Sequence, residues 1–278
     1  MLKIKIRRMC MRISSPSNER IKAVVQLQSK ASVRKKQKLF VIEGIKMYDE
    51  TPVEQLELTY VSEKFYDDYI KCGKISDNTK KRLNSKEYII VADNVFKNMS
   101  DTVTPQGIMA IVKQNDYELS DILKEKKSQI FMVLESLQDP GNMGTIIRTA
   151  EGAGIAGIIV NKETVDVYNP KVIRSTMGSI YRVPVVVSED LEATLDELSE
   201  AGVTLYAAHL KGDVYYTDGQ FVGSSAILIG NEGNGLSENI SKKAHKLVKI
   251  PMEGQVESLN ASVAAAILMY EAKRQCTS

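Results

Sequence analysis

The chain has 278 residues, 43% hydrophobic and 26% charged, an ordinary globular composition with room for two domains of about 100–150 residues each. That composition excludes disorder, collagen and coiled coil. Cys10, Cys72 and Cys276 stand singly with no Cys-x-x-Cys spacing, and the two histidines, His209 and His245, lie far apart. Neither a disulfide framework nor a metal centre is expected, and both histidines read as surface residues of an intracellular, reduced chain.

The net charge of +2 conceals an asymmetry, because residues 1–46 carry +11 and the remainder −9. Met1 to Arg12 alternates apolar with basic residues and builds no signal-peptide core, and no later stretch approaches the roughly 20 apolar residues of a membrane span. A cytoplasmic protein without a membrane partner is expected. Met11 begins a more usual-looking start, so the first ten residues read equally as an upstream extension. Lys30, Arg34, Lys35, Lys36 and Lys38 follow as a cluster able to neutralise several phosphates, with a solvated helix face as the alternative; Arg34, Lys35 and Lys36 are the candidate RNA contacts.

Residues 12–113 read as a small α/β domain, with a helix at Glu19–Gln28 and strands at Leu39–Ile42, Tyr88–Val91 and Gly107–Val112. Residues 114–128 are charged and read as a linker, part of it helical. From Gln129 to residue 278, apolar runs recur at Ile130–Leu134, Gly157–Val160, Val183–Val187, Val203–Ala208, Ala226–Ile229 and Leu247–Ile250. Continuous rather than alternating apolar character predicts a mostly parallel sheet with helices on both faces. Leu191, Leu195 and Leu198 mark one helix, ended by Gly202. Leu259, Val263, Ile267 and Tyr270 are read as the core stripe of the last.

Gly152-x-Gly154-x-x-Gly157 matches a dinucleotide fingerprint, but the helix precedes the glycines and the strand follows them. That order is reversed, so an NAD-dependent dehydrogenase is set aside. Three other motifs carry chemistry. Asp139-Pro-Gly141-Asn142-Met-Gly144-Thr-Ile-Ile-Arg148 follows the first strand of the second domain, with a helix expected from near Asn142. Six helical residues leave Asn142 and Arg148 about 120° apart. Leu228-Ile-Gly230-Asn231-Glu232-Gly233-Asn-Gly235-Leu236-Ser237 runs from a strand into a glycine-rich loop with one carboxylate, at the end of a strand where open α/β sheets place ligands; a plain turn is the alternative. Ile250-Pro-Met252-Glu-Gly254-Gln-Val-Glu-Ser258-Leu259-Asn260-Ala-Ser262 precedes the final helix, where Ser258 or Asn260 taken alone reads as an N-cap.

In this order the three motifs resemble those of the SpoU (TrmH-type) RNA ribose 2′-O-methyltransferases of the SPOUT class. The likeness covers about Gln129–Lys273, and Asn18–Lys22 with Phe40–Gly44 is similar to the family's smaller RNA substrate-binding domain. The resemblance implies S-adenosylmethionine as cofactor, a deep C-terminal trefoil knot and a homodimer with composite active sites. Gly230, Ile250 and Leu259 would give main-chain cofactor contacts, joined by Asn231, Gly233, Met252 and Ser258. Arg148 would act at the 2′-hydroxyl; a guanidinium stays protonated, so the expected role is to fix a phosphate and stabilise the developing alkoxide. Glu232 would orient Arg148 or the ribose, and Asn142, Ser258 and Asn260 would complete the pocket. Lys171 and Arg174, beside Ser175 and Ser179, would form a basic rim for RNA, with a solvated face as alternative. Ribosomal RNA is the expected substrate, with transfer RNA, or an RNA-binding protein of the same fold without turnover, as the other readings.

Overall fold

A computed structural model describes residues 11–124, 128–212, 214–218 and 221–277. The expectations placed on Cys10 and on residues 1–10 lie outside the described residues. The chain divides into two compact units: one reaches Gln114 and includes Tyr168–Pro170, and the other comprises Asn115–Val167 and the chain from Lys171 onward.

The first unit contains β1 (Arg12–Ile13), α1 (Glu19–Ser29), α2 (Ala31–Gln37), β2 (Leu39–Glu43), α3 (Ile45–Glu50), β3 (Leu56–Ser62), α4 (Glu63–Phe65), α5 (Asp77–Ser85), β4 (Tyr88–Val91), α6 (Asp93–Met99) and β5 (Ile108–Lys113). Its five strands lie in the order β1-β4-β3-β5-β2, with β5 antiparallel to both neighbours. Asn18 caps α1 by accepting the Arg20 N–H at 2.9 Å, and Ile21, Val24 and Leu27 at helical spacing pack on Val41, Tyr60 and Ile89 of the sheet. Sequence reasoning missed β3, although Leu56, Leu58 and Tyr60 alternate as a strand should.

The second unit contains α7 (Leu119–Leu123), β6 (Ile130–Leu134), α8 (Pro140–Ala153), β7 (Gly157–Asn161), α9 (Pro170–Thr176), β8 (Val185–Ser188), α10 (Leu191–Glu200), β9 (Thr204–Ala208), β10 (Val214–Tyr215), β11 (Ser225–Ile229), α11 (Glu238–Lys243), β12 (Lys246–Lys249) and α12 (Ala261–Thr277). All six pairings in the order β10-β12-β9-β11-β6-β7-β8 are parallel, giving the α/β class and parallel sheet expected. Both β6 and β11 are buried along their whole length. Phe131, Val133, Ala226 and Leu228 face α10 and α11 through Leu195, Leu198 and Ile240. The intervening positions point the other way, where α12 packs on β6 and β11 and against α8.

Two local expectations are corrected. Helix α8 starts two residues earlier than Asn142, because Asp139 caps it by accepting the Asn142 N–H at 2.7 Å and Pro140 occupies a first-turn position that needs no N–H. The predicted stripe on α12 is the wrong face. Val263 and Tyr270 are 46% and 54% exposed, while Ala265, Leu268, Met269 and Ala272 are fully buried. Leu268 and Met269, together with Ala265 and Ala272, form the core face there, against α8 and the sheet. Gly154, at φ +69°, ends α8 with its N–H on the Ala150 and Glu151 carbonyls, so the glycine string at 152–157 is a helix exit.

Candidate active site

The carboxyl ends of β9, β11 and β12 open onto one cavity of about 420 Å³. Its walls are the three loops that follow these strands, the position where an open α/β sheet offers main-chain groups to a ligand. Gly230, Asn231, Gly233, Ile250, Met252, Ser258 and Leu259 all line it, as does Glu232. The loop from Gly230 to Leu236 folds tightly on itself. A Cβ on Gly230 would lie 2.0 Å from the Gly235 carbonyl carbon and 2.1 Å from the Leu236 nitrogen, so only glycine fits. Asn231 closes the loop by exchanging backbone hydrogen bonds with Gly235 at 3.0 and 2.9 Å, and its Oδ1 accepts the N–H groups of Gly233 and Asn234.

Glu232 is tied to the start of α8. Its Oε1 accepts the Asp139 N–H at 2.9 Å and the Asn142 side-chain amide at 3.1 Å, and its Oε2 accepts the Gln138 N–H at 3.1 Å. Partial burial raises its pKa, but these donors outweigh burial and hold the carboxyl below the usual carboxylate range. Asn142 is 8% exposed and is thereby fixed, its side chain on Glu232. Neither Asn142 nor Arg148 lines the cavity. Arg148 is exposed on α8, and its guanidinium makes no hydrogen bond or ion pair with the described residues.

Asn260 caps α12. Its Oδ1 accepts from the Ser262 N–H at 2.9 Å and the Ser262 hydroxyl at 2.7 Å, the lone-residue alternative foreseen for it. Ser258 is exposed on the cavity wall, and Lys171 is exposed and Arg174 half-buried on α9. Arg34 is a correction to the RNA contacts. It is 3% exposed, and its guanidinium donates to the carbonyls of Leu27 and Gln28 at 2.6 and 2.8 Å, satisfying the last turn of α1. Lys35 and Lys36 beside it are exposed.

Sequence reasoning missed the third wall, Ala208, His209, Leu210 and Lys211, together with Lys249 and Glu257. Far from being a simple surface residue, His209 lines the cavity, and its Nδ1 accepts the Lys211 N–H at 3.1 Å. The position of Ala208 at the end of an apolar strand was the available signal. Among the described residues no group of three or more His, Cys, Asp or Glu could hold a metal ion, and no helix is long and apolar enough to cross a membrane.

Residues 129–270 match the SpoU rRNA Methylase family, and residues 18–110 match the MRM3-like substrate binding domain. The chain belongs to the SpoU rRNA methylase family. One relative, the 23S rRNA (guanosine(2553)-2′-O)-methyltransferase RlmP of Bacillus subtilis, is 31% identical over 261 residues, covering 93% of this chain and 97% of that protein. Solved SpoU-like structures agree in fold. The AdoMet-bound rRNA methyltransferase from Sinorhizobium meliloti has a TM-score of 0.83 at 28% identity, covering 97% of this chain and 99% of its own. The SpoU methyltransferase AviRb from Streptomyces viridochromogenes, in complex with AdoMet, has a TM-score of 0.79 at 27% identity, covering 93% and 98%.

Proposed function

We propose that this protein transfers a methyl group from S-adenosylmethionine to a ribose 2′-hydroxyl of ribosomal RNA. The observation that carries the reading is the cavity: all seven residues expected to hold the cofactor line it, although they come from two motifs well separated in sequence. Its volume falls within the range of about 300–1,000 Å³ common for small-molecule sites. The glycines of the Gly230–Gly235 loop let a ligand approach its backbone closely, which suits an adenosine and an amino-acid moiety. S-adenosylmethionine supplies the methyl as an electrophilic sulfonium carbon.

In this reading the chain's own residues bind and align. Gly230, Ile250 and Leu259 hold the donor by their backbones, with Asn231, Gly233, Met252 and Ser258 shaping the wall. Arg148 fixes the phosphate next to the target nucleotide and stabilises the alkoxide as the hydroxyl proton passes to a phosphate oxygen or water. Asn142 and Glu232 set the start of the helix that carries it, and Asn260 fixes the entry to α12. Because Arg148 lies outside the cavity of its own chain, the active site is completed in a homodimer, with Arg148 of one copy serving the cavity of the other. Exposed Val263 and Tyr270, with half-buried Ile267 between them on α12, support such a pairing. The strand order, in which late β11 enters between β6 and β9, is in keeping with the knot implied by the resemblance. Residues 12–113 bind RNA, with Lys35 and Lys36 on phosphates. Residues 129–278 transfer the methyl and add Lys171 and Arg174 to those contacts. Residues 114–128 join the two, their α7 packed into the second unit through Leu119. The protein acts in the cytoplasm.

The test is transfer of labelled methyl from S-adenosylmethionine to unmodified ribosomal and transfer RNA pools, followed by mapping of hydrolysis-resistant linkages. Label in ribosomal RNA at one such linkage is expected. Label only in transfer RNA changes the substrate, and cofactor binding with no label in either pool removes the enzyme reading. Arg148→Lys keeps the charge and loses the planar fork, so turnover should fall by about 10²-fold or more, and wild-type turnover would refute the bidentate role.

A further inference from the structure

We propose that Glu232 is a positioning residue that couples cofactor binding to the RNA site, so that S-adenosylmethionine and RNA each tighten the binding of the other. This rests on the function proposed above and links the cofactor cavity of one copy to the RNA that the Arg148 of the same copy holds at its partner's cavity. The loop that carries Glu232 walls the cavity, while its carboxylate holds Gln138, Asp139 and Asn142 at the start of α8. Both oxygens are engaged, by three donors in all. A carboxylate at the N-terminus of a 14-residue helix is further favoured by the helix dipole. Using Glu232 as a proton acceptor would sacrifice those contacts, so its chemistry is to hold rather than to react.

Two further stitches run the same way. The Asn231 side-chain amide donates to the Ser136 carbonyl at 2.8 Å, and the Ser237 N–H donates to Glu135 Oε2 at 2.8 Å. Within the loop, the close approach of Gly230 to Gly235 and the paired Asn231–Gly235 hydrogen bonds leave no slack. A ligand pressing on Gly230 and Gly233 therefore moves Glu232 with the loop, and Glu232 moves the first turn of α8. Asn142 lies in that turn, and Arg148 rides on the same helix. By linkage the effect is reciprocal: RNA held by Arg148 biases the loop toward its cofactor-binding form by the same factor.

The experiment compares wild type with Glu232→Gln in the full chain, with thermal unfolding to establish that the variant folds. Two quantities are read: the S-adenosylmethionine Kd with and without the RNA that wild type methylates, its target 2′-hydroxyl replaced by hydrogen so that no turnover occurs, and amide hydrogen exchange at residues 138–142 with and without S-adenosylmethionine. In wild type RNA should tighten the cofactor by roughly 5–150-fold, and the cofactor should slow exchange at 138–142. In Glu232→Gln one acceptor oxygen becomes an NH₂ facing N–H donors. The cofactor should still bind, the ratio should fall toward one and the exchange response should vanish. Should Glu232→Gln not fold, Glu232→Asp, which keeps the charge but shortens the reach, should lower the ratio partway. The pH–rate profile separates positioning from proton transfer: residual activity keeps the wild-type shape if Glu232 positions, and loses its acid limb if Glu232 is the base. A wild-type ratio near one, an undiminished ratio in the variants, or a lost acid limb overturns the proposal. A wild-type protein that methylates no RNA overturns the function reading instead.

Discussion

Replacing Gly230 by alanine tests whether the cavity depends on the loop geometry described above. The added methyl would meet the Gly235 carbonyl carbon at 2.0 Å, the Leu236 nitrogen at 2.1 Å and the Gly235 oxygen at 2.2 Å, all backbone atoms that no rotamer change can withdraw. Relief requires the Gly235–Leu236 peptide to retreat by roughly 1 Å, which opens the reciprocal Asn231–Gly235 hydrogen bonds. Overpacking strain of about 1–3 kcal/mol and two hydrogen bonds worth about 0.5–1.5 kcal/mol each give about 2–6 kcal/mol. If even 2 kcal/mol of this falls on the cofactor-binding form, affinity drops about 30-fold. Calorimetric titration with S-adenosylmethionine reads it directly. Gly254→Ala is the control, since a Cβ at Gly254 meets nothing within 4 Å and Gly254 does not line the cavity. A Gly230→Ala protein that binds as tightly as Gly254→Ala would refute the reasoning.

Gly144→Ala puts a Cβ 2.3 Å from Ser175 Cβ and 2.9 Å from the Val172 carbonyl, so α8 and α9 must separate. A loss of about 1–3 kcal/mol is expected, at about 2–4 °C of Tm per kcal/mol, and a second change, Ser175→Gly, should recover part of it. Arg34→Ala should lower Tm, since two carbonyls at the end of α1 lose their charged donor, whereas Lys35→Ala and Lys36→Ala should leave Tm unchanged and each reduce the salt slope of RNA binding by about 0.7–0.9. Equal effects of all three on Tm would contradict the assignment. The bond from Arg182 holds the Glu151 carboxyl below its usual range, outweighing partial burial. Stability from this pair is present above the unfolded carboxyl value and is lost as pH falls through the lowered folded one. The Tm difference between wild type and Glu151→Gln should accordingly be small near neutrality, as exposed pairs are, and close in acid.

The parallel sheet and the three loop motifs were legible because continuous apolar strands and glycine-rich turns leave strong local signals at Ile130–Leu134 and Leu228–Gly235. What escaped reading depended on partners distant in the chain. Arg34 looks like its lysine neighbours until α2 folds back on the last turn of α1. Leu259, Val263, Ile267 and Tyr270 have helical spacing, yet nothing local says that Ala265, Leu268, Met269 and Ala272 occupy the buried side. The wall at Ala208–Lys211 carries no motif and becomes part of the cavity only because β9 lies between β11 and β12. Glu232 was visible as a lone carboxylate, but its engagement with Gln138 and Asp139 required knowing that β11 lies beside β6.

That adjacency has a cost in time. The slot between β6 and β9 is filled by a strand made some 90 residues after β6, so neither neighbour can complete its ladder until residues 225–229 leave the ribosome. Such distant pairing implies slow maturation, and a nascent chain stalled before Ser225 presents two bare apolar strand edges to chaperones and to other copies of itself.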